Sequence, residues 1–237
     1  MENREYASAE LMKKMLDVCQ DELETLVEQN LEAGNLAEAV REAIDRTFGP
    51  VERVSRRIDP AQFLPDFIDS LKEQYAHRDI ETRVHVKPGI PEISIPEDIL
   101  GGIVEGLLKN AVENTPDKGY VEVGLEKTDT GAALTVKDSG VGIREEYRKS
   151  IFDGFFSTQD TLNYSTKTPY EFNAGGKGAD LLRMKIFSDR FGFSITMESV
   201  RCRYLLEHPE ESCPGDTGEC RFCTGPQDCH DSGHTIF

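Results

Sequence analysis

Apolar residues at Leu11, Met15, Cys19, Leu23, Leu26 and Leu31 recur three to five positions apart, which predicts an amphipathic helix over residues 8–31. Gly34-Asn35 marks a turn, and Leu36, Val40, Ala43, Ile44 and Phe48 open a second helical stripe. Gly49-Pro50 interrupts that stripe, with Pro50 suited to the first position of a continuing helix. Two helices joined by a short turn predict an antiparallel hairpin over residues 1–57. A lone hairpin leaves both apolar stripes uncovered. Pairing with a second copy into a four-helix bundle is the expected remedy, and packing onto the rest of the chain is the alternative.

From Ile58 the pattern changes. Phe63, Leu64, Phe67, Ile68 and Leu71 predict a helix, residues 82–87 alternate like a strand, and Pro88, Pro91 and Pro96 punctuate the run before the next helix. Residues 97–114 carry a long helical stripe from Ile99 to Ala111. Residues 120–126 and 132–137 read as two strands around the turn Asp129-Thr130-Gly131. A helix over 179–191 and strands over 193–199 and 232–237 complete the run. Helices mixed with hairpin-linked strands predict an α+β fold, a mixed or antiparallel sheet covered on one face.

Composition narrows the function classes. The chain has 237 residues, 38% apolar and 30% charged, with a formal net charge of −17. That field repels nucleic acid and anionic lipid, so an anionic ligand has to be held by local features. No stretch approaches the roughly 20 apolar residues of a membrane span, and MENREYASAE lacks the character of a signal peptide. A cytoplasmic protein with reduced thiols is expected.

Four segments carry candidate chemistry. On the 97–114 helix, Gly106, Asn110 and Asn114 are each four apart and share one edge. An Asn there can offer its oxygen to Mg²⁺, or simply satisfy the helix. Asp138 ends a strand and enters Ser139-Gly140-Val141-Gly142. Glycines permit close approach of a flat ligand, and a carboxylate beneath can accept from the amine of adenine; an ordinary turn is the alternative. The aromatic run Phe152, Phe155 and Phe156 precedes about 18 polar residues, a loop length that suits a lid. Gly175-Gly176-Lys177-Gly178 then opens a helix, where free N–H groups and a lysine suit phosphate.

In this order, LLKNAVENT, DSGVGI, IFDGFFST and GGKGADLL resemble the N, G1, F and G2 boxes of the catalytic ATP-binding domain of bacterial sensor histidine kinases. That domain belongs to the ATPase superfamily shared with gyrase, mismatch-repair and heat-shock proteins. The resemblance spans residues 58–200 and the last few residues. It implies a two-layer α/β sandwich over 58–237, ATP with Mg²⁺, Asn110 as metal residue and Asp138 as adenine reader. It also carries over Gly140, Gly142, Gly176 and Gly178 as nucleotide-approach positions, and Thr235 as an adenine contact through water. Asn114, Phe152 and Lys177 complete the expected nucleotide set.

The departures from the family pattern matter. Gly106 stands where the family has Asn or Glu, the Glu serving as base for water in hydrolysing relatives. Glu113 stands where many kinases put a basic residue, and Asp180 replaces the third glycine of the G2 box. The five histidines are His77, His85, His208, His230 and His234, so the 1–57 hairpin has none, and Asp21 takes the acceptor's place in Asp21-Glu22-Leu23-Glu24-Thr25. Three readings compete. One is a histidine kinase that phosphorylates a His on a partner protein or another segment and works with a response regulator. The second is a catalytically silent ATP-binding, dimerising signalling module. The third is a regulator that senses metal or redox state through its cysteines.

Five of the six cysteines fall at or after Cys202. Cys213, Cys220, Cys223 and Cys229, interleaved with Gly and Pro, have spacing that suits tetrahedral Zn²⁺. They fill 201–231, between strands that join by a short connection in the resembled fold. A coreless loop of that length is expected to need a staple, for which structural zinc is the first candidate and an iron–sulfur or redox site the next.

Overall fold

A computed structural model of the chain describes residues 57–152, 168–174 and 179–237. These belong to one compact unit running from Ser55 to Phe237. The predicted hairpin lies outside the described residues. So do Phe155, Phe156 and the glycine loop with Gly176, Lys177 and Gly178.

The elements are β1 (Arg57–Ile58), α1 (Pro60–Leu71), β2 (Glu81–Val86), β3 (Ile93–Ser94), α2 (Glu97–Asn114), β4 (Tyr120–Lys127) and β5 (Ala132–Asp138). They are followed by α3 (Ala179–Phe191), β6 (Glu198–Val200), α4 (Arg203–Glu207), α5 (Pro226–His230) and β7 (His234–Ile236). The main sheet has the order β2-β4-β5-β7-β6, with β2 parallel to β4 and the other pairs antiparallel. β1 and β3 form a separate antiparallel pair.

Alternation along β4 decides which face meets the helices. Val121, Val123 and Leu125 point inward and are buried, whereas Tyr120, Glu122 and Gly124 are half-buried. The helices supply the second layer. Ile99, Ile103, Val104, Leu107, Leu108 and Ala111 of α2 share one core with these strands, with Leu64 and Ile68 of α1, and with Met184 and Phe187 of α3. At Gly101 the missing side chain admits the Phe67 ring, which would lie 3.1 Å from a Cβ there. The result is the mixed, two-layer α+β sandwich expected.

Two expectations need correction. Instead of a strand over 193–199, pairing is confined to Glu198–Val200, because β7 offers only His234–Ile236 as partner. Phe193 and Ile195 still pack against the core, which explains their apolar pattern. The cysteine-rich segment is not coreless. It contains α4 and α5 and buries Leu205 and Cys229.

Candidate functional site

The C-terminal half of α2 organises the site. Helix ends leave carbonyls without intrahelical partners, and here Arg78 collects them. Its Nη2 donates to Thr115 O at 2.8 Å, its Nη1 to Val112 O at 3.3 Å and Tyr170 O at 2.7 Å, and its Nε to Asp117 Oδ1 at 2.8 Å. The Thr115 hydroxyl donates to Ala111 O at 2.7 Å. Arg78 sits in no recognisable motif, so sequence reasoning missed it.

The G1 turn docks on the same helix end. Val141 N donates to Asn114 O at 3.1 Å. A Cβ at Gly140 would stand 2.2 Å from Asn114 O, and one at Gly142, where φ is +64°, would stand 2.0 Å from Val200 O. Both positions therefore require glycine. On the same helix, Asn173 N donates to Glu113 O at 2.8 Å, and Lys109 pairs with Asp180 of α3 at 3.7 Å. The described parts of the N, G1 and G2 segments thus gather around one helix end.

Asp138 lies at the base of the turn, opposite Thr235 in the β5–β7 register. Its Oδ1 accepts from Gly140 N at 2.9 Å and Thr235 N at 3.2 Å. Burial pushes its carboxyl up to about 7, against the opposing pull of the Gly140 and Thr235 hydrogen bonds and the Lys137 charge. The Thr235 hydroxyl bonds to that of Ser199 at 3.1 Å, and Ile143 N donates to the same Ser199 oxygen.

Asn110 is half-buried, and its Nδ2 is wholly buried without a hydrogen-bond partner. Because amide nitrogen and oxygen are assigned rather than seen, the buried end marks an amide with unspent capacity beside the nucleotide segments. One Asn oxygen, completed by waters and phosphate oxygens, is an ordinary donor set for Mg²⁺, so the residue fits that ion. Asn114 turns back, and its Nδ2 donates to Asn110 O at 2.8 Å. Phe152 stands edge-on to Phe237, with ring centroids 6.3 Å apart.

The departures have structural causes. A Cβ at Gly106 would stand 2.6 Å from the Met184 methyl, so α3 packs into the space a larger side chain would need. Glu113 is buried rather than turned to a ligand: its Oε1 accepts from Tyr170 N at 3.0 Å, and burial pushes its carboxyl up. A cavity of about 150 Å³ opens beside these elements, with Asn114, Gly142, Arg144, Tyr147, Asn173 and Arg201 in its wall. Arg201 was also missed. Its Nη1 donates to Gly142 O at 2.9 Å and Val141 O at 3.3 Å, clamping the G1 turn.

Cys202, Cys213, Cys220, Cys223 and Cys229 all line a second cavity of about 180 Å³, and all five are free thiols. Burial pushes Cys213 and Cys229 up to about 11, and Cys223 up as well. The zinc expectation for Cys213, Cys220, Cys223 and Cys229 finds no support: among the described residues, no group of three or more His, Cys, Asp or Glu side chains has an arrangement that could hold a metal ion. Likewise, no described helix is long and apolar enough to cross a membrane.

The sequence profile described as histidine kinase-, DNA gyrase B- and HSP90-like ATPase matches residues 96–222. The adaptive-response sensory kinase SasA of Rippkaea orientalis is 29% identical over 143 residues, covering 58% of this chain and 34% of the relative. The sensor histidine kinase ZraS of Escherichia coli is 26% identical over 138 residues, covering 54% and 30%. The chain thus spans about a third of the length of the curated relatives it matches. Full-length ShkA, solved in complex with AMPPNP, shares the fold with a TM-score of 0.57 at 18% identity, over 100% of this chain and 38% of that one. The chain belongs to the histidine kinase-, DNA gyrase B- and HSP90-like ATPase family, in the form of the ATP-binding domain of sensor histidine kinases.

Proposed function

We propose that this chain is the catalytic ATP-binding module of a two-component protein-histidine kinase, passing the γ-phosphoryl of ATP to a histidine on another segment or another protein. The observation that carries the reading is the buried Asp138 carboxylate, set beneath a glycine turn that is pinned to the helix bearing Asn110. In this reading Asp138 accepts from the exocyclic amine of adenine, and Thr235 holds the carboxylate in place. Gly140 and Gly142 let the base approach, and Gly176, Lys177 and Gly178 receive phosphate oxygens. Asn110 would hold Mg²⁺, which neutralises charge on the phosphates when bound. The chain's own part in transfer is positioning.

Residues 1–57 would form a dimerising hairpin, the module would work in the cytoplasm, and a response regulator would be the downstream partner. Incubation with γ-labelled ATP and candidate partners tests the transfer, which should leave acid-labile phosphoryl on a histidine. Asp138→Asn should weaken binding of an ATP analogue on the order of a hundredfold, as expected for a lost charge-assisted hydrogen bond of roughly 2–3 kcal/mol. Unchanged affinity would remove the adenine assignment.

A second reading, nucleotide binding without transfer, is favoured by the absence of histidine from residues 1–57 and by the Met184 methyl packed over Gly106. Analogue binding with no label on any partner would select it.

A further inference from the structure

Each residue from Ser199 to Cys202 meets the G1 turn. Ser199 Oγ accepts from Ile143 N at 2.8 Å, Val200 O fills the space beside Gly142, and Cys202 N donates to Val141 O at 2.9 Å. Backbone and a hydroxyl serve at those positions. Arg201 alone brings a charge, although a neutral donor would serve the Gly142 and Val141 carbonyls as well. Taking a guanidinium out of water is costly unless an anion pairs with it. Yet among the described residues no carboxylate pairs with Arg201, its Nε is buried without a partner, and its Nη2 makes no hydrogen bond.

Arg201 lines the cavity of about 150 Å³ beside the turn. One water needs roughly 10–15 Å³, so a polyatomic ion fits. Arg144 stands in the same wall, and its pairing with Glu146 at 3.7 Å is an exposed one of little worth. Burial first, and then the Arg144 charge, push the Arg201 guanidinium down. Ser212 adds a hydroxyl to the wall, and the one carboxylate there, Glu211, is held by Arg221. Two like charges thus border one polar space in a chain whose net charge is −17.

We propose that this cavity is an anion site, in which Arg201 and Arg144 bind a small oxyanion of the phosphate type while Nη1 of Arg201 keeps its hold on the turn. A planar fork can serve a carbonyl and an oxyanion at once, which a lysine cannot do. A phosphate group, close to doubly charged at neutral pH, matches two guanidiniums better than a carboxylate does. The site stands apart from the nucleotide reading, which assigns phosphates to Asn110 and the 176–178 loop.

The full chain is titrated calorimetrically with inorganic phosphate in Tris chloride, and one saturable site is expected. Arg201→Ala should weaken phosphate at least about tenfold, the low end for a lost charge-assisted hydrogen bond. Because that change also cuts two ties to the turn, Arg144→Glu is the deciding variant: it reverses an exposed charge, leaves those ties intact and should abolish saturation. No saturable binding, or binding indifferent to Arg144→Glu, overturns the proposal. Repeating the titration with an ATP analogue at saturation should leave phosphate affinity unchanged. Displacement by the analogue would put the cavity inside the nucleotide cleft and overturn a separate site. A chain that takes phosphate but no analogue bears out the anion site and counts against the nucleotide reading alone.

Discussion

Around the end of α2, side chains are held by partners far away in sequence, whereas the cysteine-rich segment is held mostly by its own neighbours. Arg78 joins carbonyls 34 to 92 positions away, and Glu113 reaches Tyr170, 57 positions on. In the segment, Thr224 bonds to Asp228, Gln227 to Asp231 and Ser232 to Cys229, all within four positions. The ties that cross to the rest of the domain include Lys118 to Asp216, His230 Nε2 to Lys118 O, the pair Asp117 N to Gly215 O and Thr217 N to Asp117 O, the His230 ring against Tyr120, and the contacts of Arg201 and Cys202 with the G1 turn. The first region can therefore loosen only when the domain does. The second can rearrange on its own while touching the same turn.

The sharpest way to break this contrast is at Arg78. Arg78→Ala leaves three carbonyls and Asp117 short of a donor, and the whole domain should lose about 3–5 kcal/mol in urea unfolding. A loss below about 1 kcal/mol would mean that the clasp is dispensable and the helix end holds itself.

Titration of Asp138 tests the seam between the regions. With its folded value raised to about 7, the folded state binds the proton that an unfolded chain has already released. Its contribution to stability is therefore greatest below the ordinary carboxylate range and is lost as pH rises to about 7. In the proposed reading analogue affinity runs the opposite way, because the adenine amine would need the ionised carboxylate. Titration calorimetry should show affinity falling about tenfold per unit as pH drops below 7, and a flat profile would remove Asp138 from base recognition.

The smallest effect is expected at Lys118→Ala, which cuts an exposed tie to Asp216. The melting temperature should hardly move, while amide exchange in residues 213–220 should quicken. A large drop in stability would show that the segment is braced by the domain rather than by itself.

Legibility in the sequence follows the same division. α2 and α3 appear at the ranges their apolar spacing predicts, because both turn a continuous stripe onto a common core. Asp138 and its glycines were readable because a strand ending in a glycine turn leaves a pattern along the chain. Arg78, Met184 and Arg201 were not, since each acts on residues brought near only by folding. The cysteines were visible as a cluster, but spacing does not reveal whether thiols converge closely enough to hold a metal ion.

The bond from Val141 N to Asn114 O does more than anchor a loop. It ties the glycine turn above Asp138 to a helix on which Asn110 sits one turn, about 5.4 Å, further back. The two ends of the cleft are then set at a fixed separation, like the jaws of a calliper. In the proposed reading molecules are gauged by length as well as by shape: a nucleoside would span one jaw, and only a ligand with its phosphates would reach the other.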